Sequence, residues 1–168
     1  LLERVADLDS IFFVAHSLGG IHALHLANEL PGKVRGGVTL STPYGGSESA
    51  EMLRYLLPFQ RVLHDIAPRA APIVEANGFE ILVPWTNIVT MRGDSPLMRT
   101  ANDGVVTRNS MRNRKDIHLI DVESNHFEIL QHPEAVRIIC ESAQEAADKK
   151  FEDKDAAQVT GQADSAPQ

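Results

Sequence analysis

Cysteine is nearly absent: Cys140 stands alone in 168 residues, which excludes an internal disulfide framework and leaves the redox compartment open. Long apolar runs are missing too, and nothing approaches the ~20 residues a membrane-spanning helix needs. An excess of positive charge is also lacking. Lys and Arg number 16 against 23 Asp and Glu, a formal charge of −7, and phosphate contacts require a basic surface that releases counterions, so nucleic-acid binding is disfavoured. The one basic stretch, 108–115, reads as a solvated helix end and turn. The first residue is Leu1, with neither a charged leader region nor a cleavage motif, and a chain that is processed or cut from something longer is expected.

What is there suits a folded domain. Hydrophobic residues at 43% and charged residues at 23% fit a globular chain, and a domain of this length buries roughly 70% of its unfolded surface. Residues 11–15 (Ile-Phe-Phe-Val-Ala) form a short apolar run that predicts a strand buried on both faces, as in a parallel sheet. Ile21, Ala23, Leu24, Ala27 and Leu30 then follow a helical pattern, which Pro31-Gly32 ends. Further strands are predicted at 34–41, 85–91 and 117–122, with a short helix at 105–112 and a last helix over 134–147 after Pro133. Between 47 and 84 the pattern is helical, divided by Pro58, Pro68 and Pro72, and from 148 to 168 a polar, aliphatic-poor stretch predicts a disordered tail. Strands alternating with helices argue for an α/β fold with a parallel, doubly wound sheet over 1–147, whose functional residues gather at the C-terminal strand ends.

Ser17 sits where the first strand meets the first helix, in Ala15-His16-Ser17-Leu18-Gly19. A turn that tight needs small residues two positions either side, and Ala15 and Gly19 meet the demand of a nucleophile elbow. The helix N-terminus favours negative charge there, so the Leu18 N–H is a candidate oxyanion donor. An elbow of this kind without context is a weak signal, because ordinary strand-to-helix turns also carry serine.

A serine hydroxyl needs a histidine to take its proton, and that histidine needs a carboxylate to orient it. Asp103, in Asn102-Asp103-Gly104-Val105-Val106 after the third strand, and His126, just after the fourth, fall in the required order. Asp94, directly after the third strand, is a rival for the acid, although a turn or helix-capping aspartate explains it as well. His22 and His25 are spaced i, i+3 with no acidic partner and read as surface or interfacial residues rather than metal ligands. His16 reads as packing beside the serine, and His64, His118 and His132 have no partner the sequence can name.

Ala-His-Ser-Leu-Gly-Gly at 15–20, Ser-Thr-Pro-Tyr-Gly-Gly-Ser at 41–47, Asn-Asp-Gly-Val-Val at 102–106 and His-Phe-Glu-Ile-Leu at 126–130 together resemble the α/β-hydrolase lipases and esterases, microbial triacylglycerol lipases and inositol-deacylase-like esterases among them. The likeness runs from about residue 10 to 147. It implies hydrolysis of a small-molecule carboxylic ester or lipid through an acyl-enzyme on Ser17, with His126 as base and acid, Asp103 orienting it, and no cofactor or metal. Thioesterase or acyltransferase work with the same triad stays open. The segment 47–84 stands where such enzymes carry a cap or lid, although its apolar stripes could equally pack on the sheet.

The pattern departs from the resemblance at its start. Such hydrolases carry about four strands before the serine, and the loop after one of them supplies a second oxyanion N–H. Here about ten residues precede the first predicted strand. Losing one such donor costs about 10² to 10³ in rate, and a strand of Phe, Ile and Val at a sheet edge invites aggregation. The expectation is therefore the C-terminal portion of a hydrolase domain, completed by a preceding segment or a partner chain, or else a remnant with little activity alone.

Overall fold

The computed structural model describes residues 2–5, 7–46, 69–93, 95, 98 and 100–149, and the backbone of 150–162. A short helix α1 (Leu2–Val5) leads into strand β1 (Ile11–His16), helix α2 (Leu18–Glu29) and strand β2 (Val34–Leu40). After the undescribed residues 47–68 come helix α3 (Ala71–Gly78), strand β3 (Trp85–Thr90), the short helix α4 (Arg108–Met111), strand β4 (His118–Val122), a 3-10 turn (Glu128–Gln131) and helix α5 (Pro133–Gln162).

Among the described residues the four strands make one sheet in the order β1-β2-β3-β4, every pairing parallel. Parallel pairing requires crossovers, and the intervening helical segments supply them. Alternation along the strands divides the core. Val38 and Leu40 of β2 join Ile88 and Val122 in a cluster closed by Ile129, Ala135 and Ile138 of the 3-10 turn and α5. The other face packs Ile21, Ala23 and Leu24 of α2 with Trp85, Tyr44 and, from α3, Ile73 and Ala76. Helices thus cover both faces of the sheet, the doubly wound arrangement that the strand and helix alternation predicts.

The described part of the 47–84 segment lies against α2. His25 Nε2–H donates to the Pro72 carbonyl at 3.0 Å and its ring meets Phe79 edge-on at 5.0 Å, an interfacial residue between α2 and α3. The rest of the expected cap, 47–68, and His64 with it, lies outside the described residues.

Two expectations need revision. The basic stretch is not all solvated: Arg114 is only 5% exposed, pairs with Asp116, and donates to the carbonyls of Ala76 and Phe79 at 2.6 and 2.7 Å. It serves the open carbonyls at the end of α3, which have no intrahelical donor. Helix α5 also does not stop at Ala147, since its backbone is helical to Gln162. Lys, Ala and Gln recur there, and all favour helix even where the composition offers no apolar face. Residues 163–168 lie outside the described residues.

Among the described residues no helix is long and apolar enough to cross a membrane.

Candidate active site

β1 delivers the chain to Ser17 with no room for a gradual turn. Its backbone stands at φ 54°, ψ −129°, a conformation non-glycine residues rarely adopt, and α2 begins at the next residue. The strained turn is held from two sides. The Ser17 N–H donates to the Leu40 carbonyl at 2.8 Å, and the Ser17 carbonyl accepts from the Gly20 N–H and the Thr42 hydroxyl, each at 3.0 Å. Across the turn, a Cβ placed on Gly19 would sit 3.8 Å from that of Ala15, so the two small positions face each other as the elbow pattern expects. Leu18 opens α2, where a backbone N–H has no intrahelical acceptor.

The other two predicted residues converge on this serine. His126 Nε2 lies 3.1 Å from Ser17 Oγ, and His126 Nδ1 lies 2.8 Å from Asp103 Oδ2. Because an ionised carboxylate only accepts, Nδ1 carries the ring proton of neutral His126 and Nε2 is free to accept from the serine hydroxyl. Asp103 and His126 are 1% and 3% exposed. Their loops are tied directly, since the His126 N–H donates to the Asp103 carbonyl at 3.1 Å.

The Asp103 carboxylate is saturated. Oδ1 accepts from the N–H groups of Val105 and Val106 at 3.0 and 2.8 Å, and Oδ2 accepts from the Thr90 hydroxyl at 2.5 Å as well as from His126. Burial alone would push this carboxyl up, but the bonds from His126 and Thr90, the charge of His126 and the Val106 N–H outweigh it and hold the group below its ordinary range. Asn102 shapes the loop, its side-chain oxygen accepting from the N–H groups of Gly104 and Ser95 at 2.9 and 3.2 Å. Asp94, the rival acid, lies outside the described residues.

His16 does pack beside the serine, and its role is more specific than packing. Its Nε2 bonds the backbone carbonyl of His126 at 2.8 Å, and the two rings lie 4.7 Å apart. The sequence reading missed Thr90, Ser41 and Thr42 as neighbours of the site. For Thr90 the only local signal is a hydroxyl at the C-terminal end of a strand, which many inert residues share, whereas Ser41 and Thr42 open the 41–47 motif that helps carry the resemblance. His132 Nδ1 accepts from the Glu134 N–H at 3.3 Å, at the start of α5. Among the described residues no group of three or more His, Cys, Asp or Glu could hold a metal ion.

An apolar cleft of about 180 Å³, lined by Leu24, Leu30, Phe79, Val83 and Trp85 among others, opens away from these residues. It includes Val34 and Trp85, which begin β2 and β3, whereas the Ser17, Asp103 and His126 side chains follow strand ends.

No protein-family model and no curated protein matches the chain. Solved structures do. A metagenomic carboxyl esterase superposes with a TM-score of 0.58 at 20% identity, over 76% of this chain and 49% of its own. The fold is that of the α/β-hydrolases. A Paleococcus ferrophilus monoacylglycerol lipase (TM-score 0.53, 16% identity, 86% of this chain and 70% of its own) and a Bacillus licheniformis lipase (0.51, 14%, 75% and 63%) share this α/β-hydrolase architecture. The chain thus spans about half the length of the first of these. In that fold the sheet seen here is partial, and β1 lies at its edge among the described residues.

Proposed function

We propose that the chain is the nucleophile-bearing part of a serine hydrolase acting on carboxylic esters. The observation that carries this reading is the continuous line from Asp103 Oδ2 through both ring nitrogens of His126 to Ser17 Oγ, at 2.8 and 3.1 Å. A buried polar line of this kind, anchored on a strained serine, has no packing purpose that apolar residues would not serve as well.

The chemistry follows from the proton positions. As Ser17 Oγ attacks the ester carbonyl carbon, its proton passes to His126 Nε2, and Asp103 stabilises the imidazolium through Nδ1–H. The carbonyl oxygen becomes an oxyanion at the N-terminus of α2, and the Leu18 N–H donates to it. Collapse breaks the bond to the alkoxy group, which leaves with the proton from Nε2, and Ser17 is acylated. Water then attacks the acyl carbon, giving its proton to Nε2. His126 returns that proton to Ser17 as the carboxylic acid departs.

Val14 on the edge strand β1 is 52% exposed, and an exposed apolar edge is an aggregation liability that proteins cover. This supports a further strand-bearing segment, in the same protein or a partner, pairing along β1 and bringing the second oxyanion N–H.

The test is covalent labelling. A fluorophosphonate should modify the chain at Ser17, and Ser17→Ala should abolish both labelling and hydrolysis of an activated ester. Labelling that persists in Ser17→Ala overturns the assignment.

A further inference from the structure

The strand-end motif at 41–47 has no part in the mechanism above, yet its first residue points into the site. Ser41 Oγ lies 3.0 Å from Thr90 Oγ1, and Thr90 Oγ1 lies 2.5 Å from Asp103 Oδ2. Ser41 and Thr90 are both fully buried. We propose that Ser41 and Thr90 are positioning residues, a two-hydroxyl relay that fixes Asp103 Oδ2 and through it the ring of His126. This rests on the reading of Ser17, His126 and Asp103 as the reacting triad.

The direction of each bond follows from donor counting. The carboxylate has no proton to give, so the single Thr90 proton goes to Asp103 Oδ2. Met111 Sδ, 3.4 Å from the same hydroxyl, is a weak acceptor and loses that competition. Thr90 Oγ1 is then left with lone pairs only on its other side, and Ser41 must donate to it. The chain of donors therefore runs Ser41 to Thr90 to Asp103, all toward the oxygen that also receives His126 Nδ1–H.

The backbone supplies a second observation. Ser41 is held at φ 49°, in the left-handed region that glycine or asparagine adopts more readily. Its N–H donates to the Ile88 carbonyl at 2.9 Å, continuing the β2–β3 ladder, so the strain falls on one residue at the strand end. A serine kept in a glycine-like conformation, with its hydroxyl buried on the supporting shell of the triad, fits a residue whose side chain is needed there.

The relay predicts an electrostatic signature as well as a steric one. Each donor on Oδ2 withdraws charge from the carboxylate, so removing Thr90's makes Asp103 a stronger acceptor for His126 and raises the basicity of that ring. Among the described residues, the titratable groups facing the carboxylate are His126 and, beyond it, His16.

The experiment uses the full chain with Thr90→Val, Thr90→Ser and Ser41→Ala. Two readouts are followed: ester turnover with its pH profile, and the downfield proton NMR signal of His126 Nδ1–H. Thr90→Val should lower kcat about tenfold to hundredfold with KM little changed, as expected for loss of a charge-assisted bond. It should also move the acid limb of kcat/KM to higher pH and shift the Nδ1–H signal. Thr90→Ser should restore both, and Ser41→Ala should move both in the same direction by less. A folded Thr90→Val with unchanged acid limb and Nδ1–H signal overturns the relay. If Thr90→Val does not fold, the same two readouts on Ser41→Ala decide. Failure of the unsubstituted chain to label at Ser17 counts against ester chemistry instead, and the Nδ1–H signal still judges the relay.

Discussion

His16 donates its ring Nε2 proton to the backbone carbonyl of His126 at 2.8 Å, so the residue before the serine holds the loop that carries the histidine. A carbonyl only accepts, which fixes the proton on Nε2. Burial pushes His16 below its usual 6.5, against the carbonyl bond that favours the charged form and with the help of repulsion from His126. His16→Ala should lower kcat about tenfold, the effect of a lost positioning bond, with KM little changed. Equal kcat in a folded variant would remove His16 from any positioning role.

The same group makes stability depend on pH. The folded chain binds this proton less readily than the unfolded chain, so the unfolded state gains protons first as pH falls. The contribution of neutral His16 is therefore complete above 6.5 and is lost as pH drops through its lower folded value. Urea midpoints measured across that window should fall toward acid, and His16→Asn should flatten part of the slope.

Gly93 should tolerate no side chain. A Cβ there would stand 2.1 Å from the Asp103 carbonyl carbon and 2.4 Å from the Gly104 nitrogen, both backbone atoms that cannot rotate aside. Gly93→Ala must then push the 102–104 loop away from β3 and take Asp103 from His126. Phosphonylation of Ser17 should slow by at least about tenfold, the scale of one lost charge-assisted bond, and a chain labelled at the unsubstituted rate would show the loop to be slack.

The strands were legible because β-branched and aromatic residues cluster in them, as at 11–15 and 85–89, but the two-sided burial expected at 11–15 is not met, since β1 is an edge strand among the described residues and Val14 is exposed. Ser17, Asp103 and His126 were legible because each carries a local constraint: small neighbours around a tight turn, an Asn-Asp-Gly loop, a histidine directly after a strand. Thr90 carries none, and Ser41, although its 41–47 motif was visible, carries none that ties it to the carboxylate. Their partners lie 13 and 49 positions away, and a hydroxyl at a strand end looks the same whether it faces a carboxylate or water. Arg114 was hidden for a like reason, since the carbonyls it serves, of Phe79 just past α3 and Ala76 within it, lie 35 and 38 positions earlier.

Tyr44 should prove structural despite its place in the strand-end motif. Its hydroxyl accepts from Trp85 Nε1–H at 2.9 Å and meets Thr39 Oγ1 at 2.9 Å, while Thr39 donates onward to Asn87 Oδ1 at 2.9 Å. Burial, eased slightly by the Thr39 and Trp85 bonds, pushes the phenol up to about 12. Tyr44→Phe leaves the Trp85 N–H without an acceptor and should destabilise by about 1–3 kcal/mol, read from denaturant midpoints. Absorbance titration should show this tyrosine ionising only near 12 or on alkaline unfolding.

Gly20 and Thr42 clamp the serine from behind, and their coupling can be measured. The Ser17 carbonyl takes one donor from each, the Gly20 N–H and the Thr42 hydroxyl, both at 3.0 Å. A Cβ on Gly20 would lie 2.1 Å from Thr42 Oγ1 and 2.6 Å from its Cγ2, so Gly20→Ala must displace that side chain. Overpacking of this sort costs about 1–3 kcal/mol, and the bond broken in Thr42→Ala about 1 kcal/mol. Thr42→Ala also removes both of the closest clashing atoms, so the double variant should be less destabilised than the sum of the two singles. Strict additivity across that cycle would mean the two residues do not touch in solution, and the clamp on Ser17 would have to be sought elsewhere.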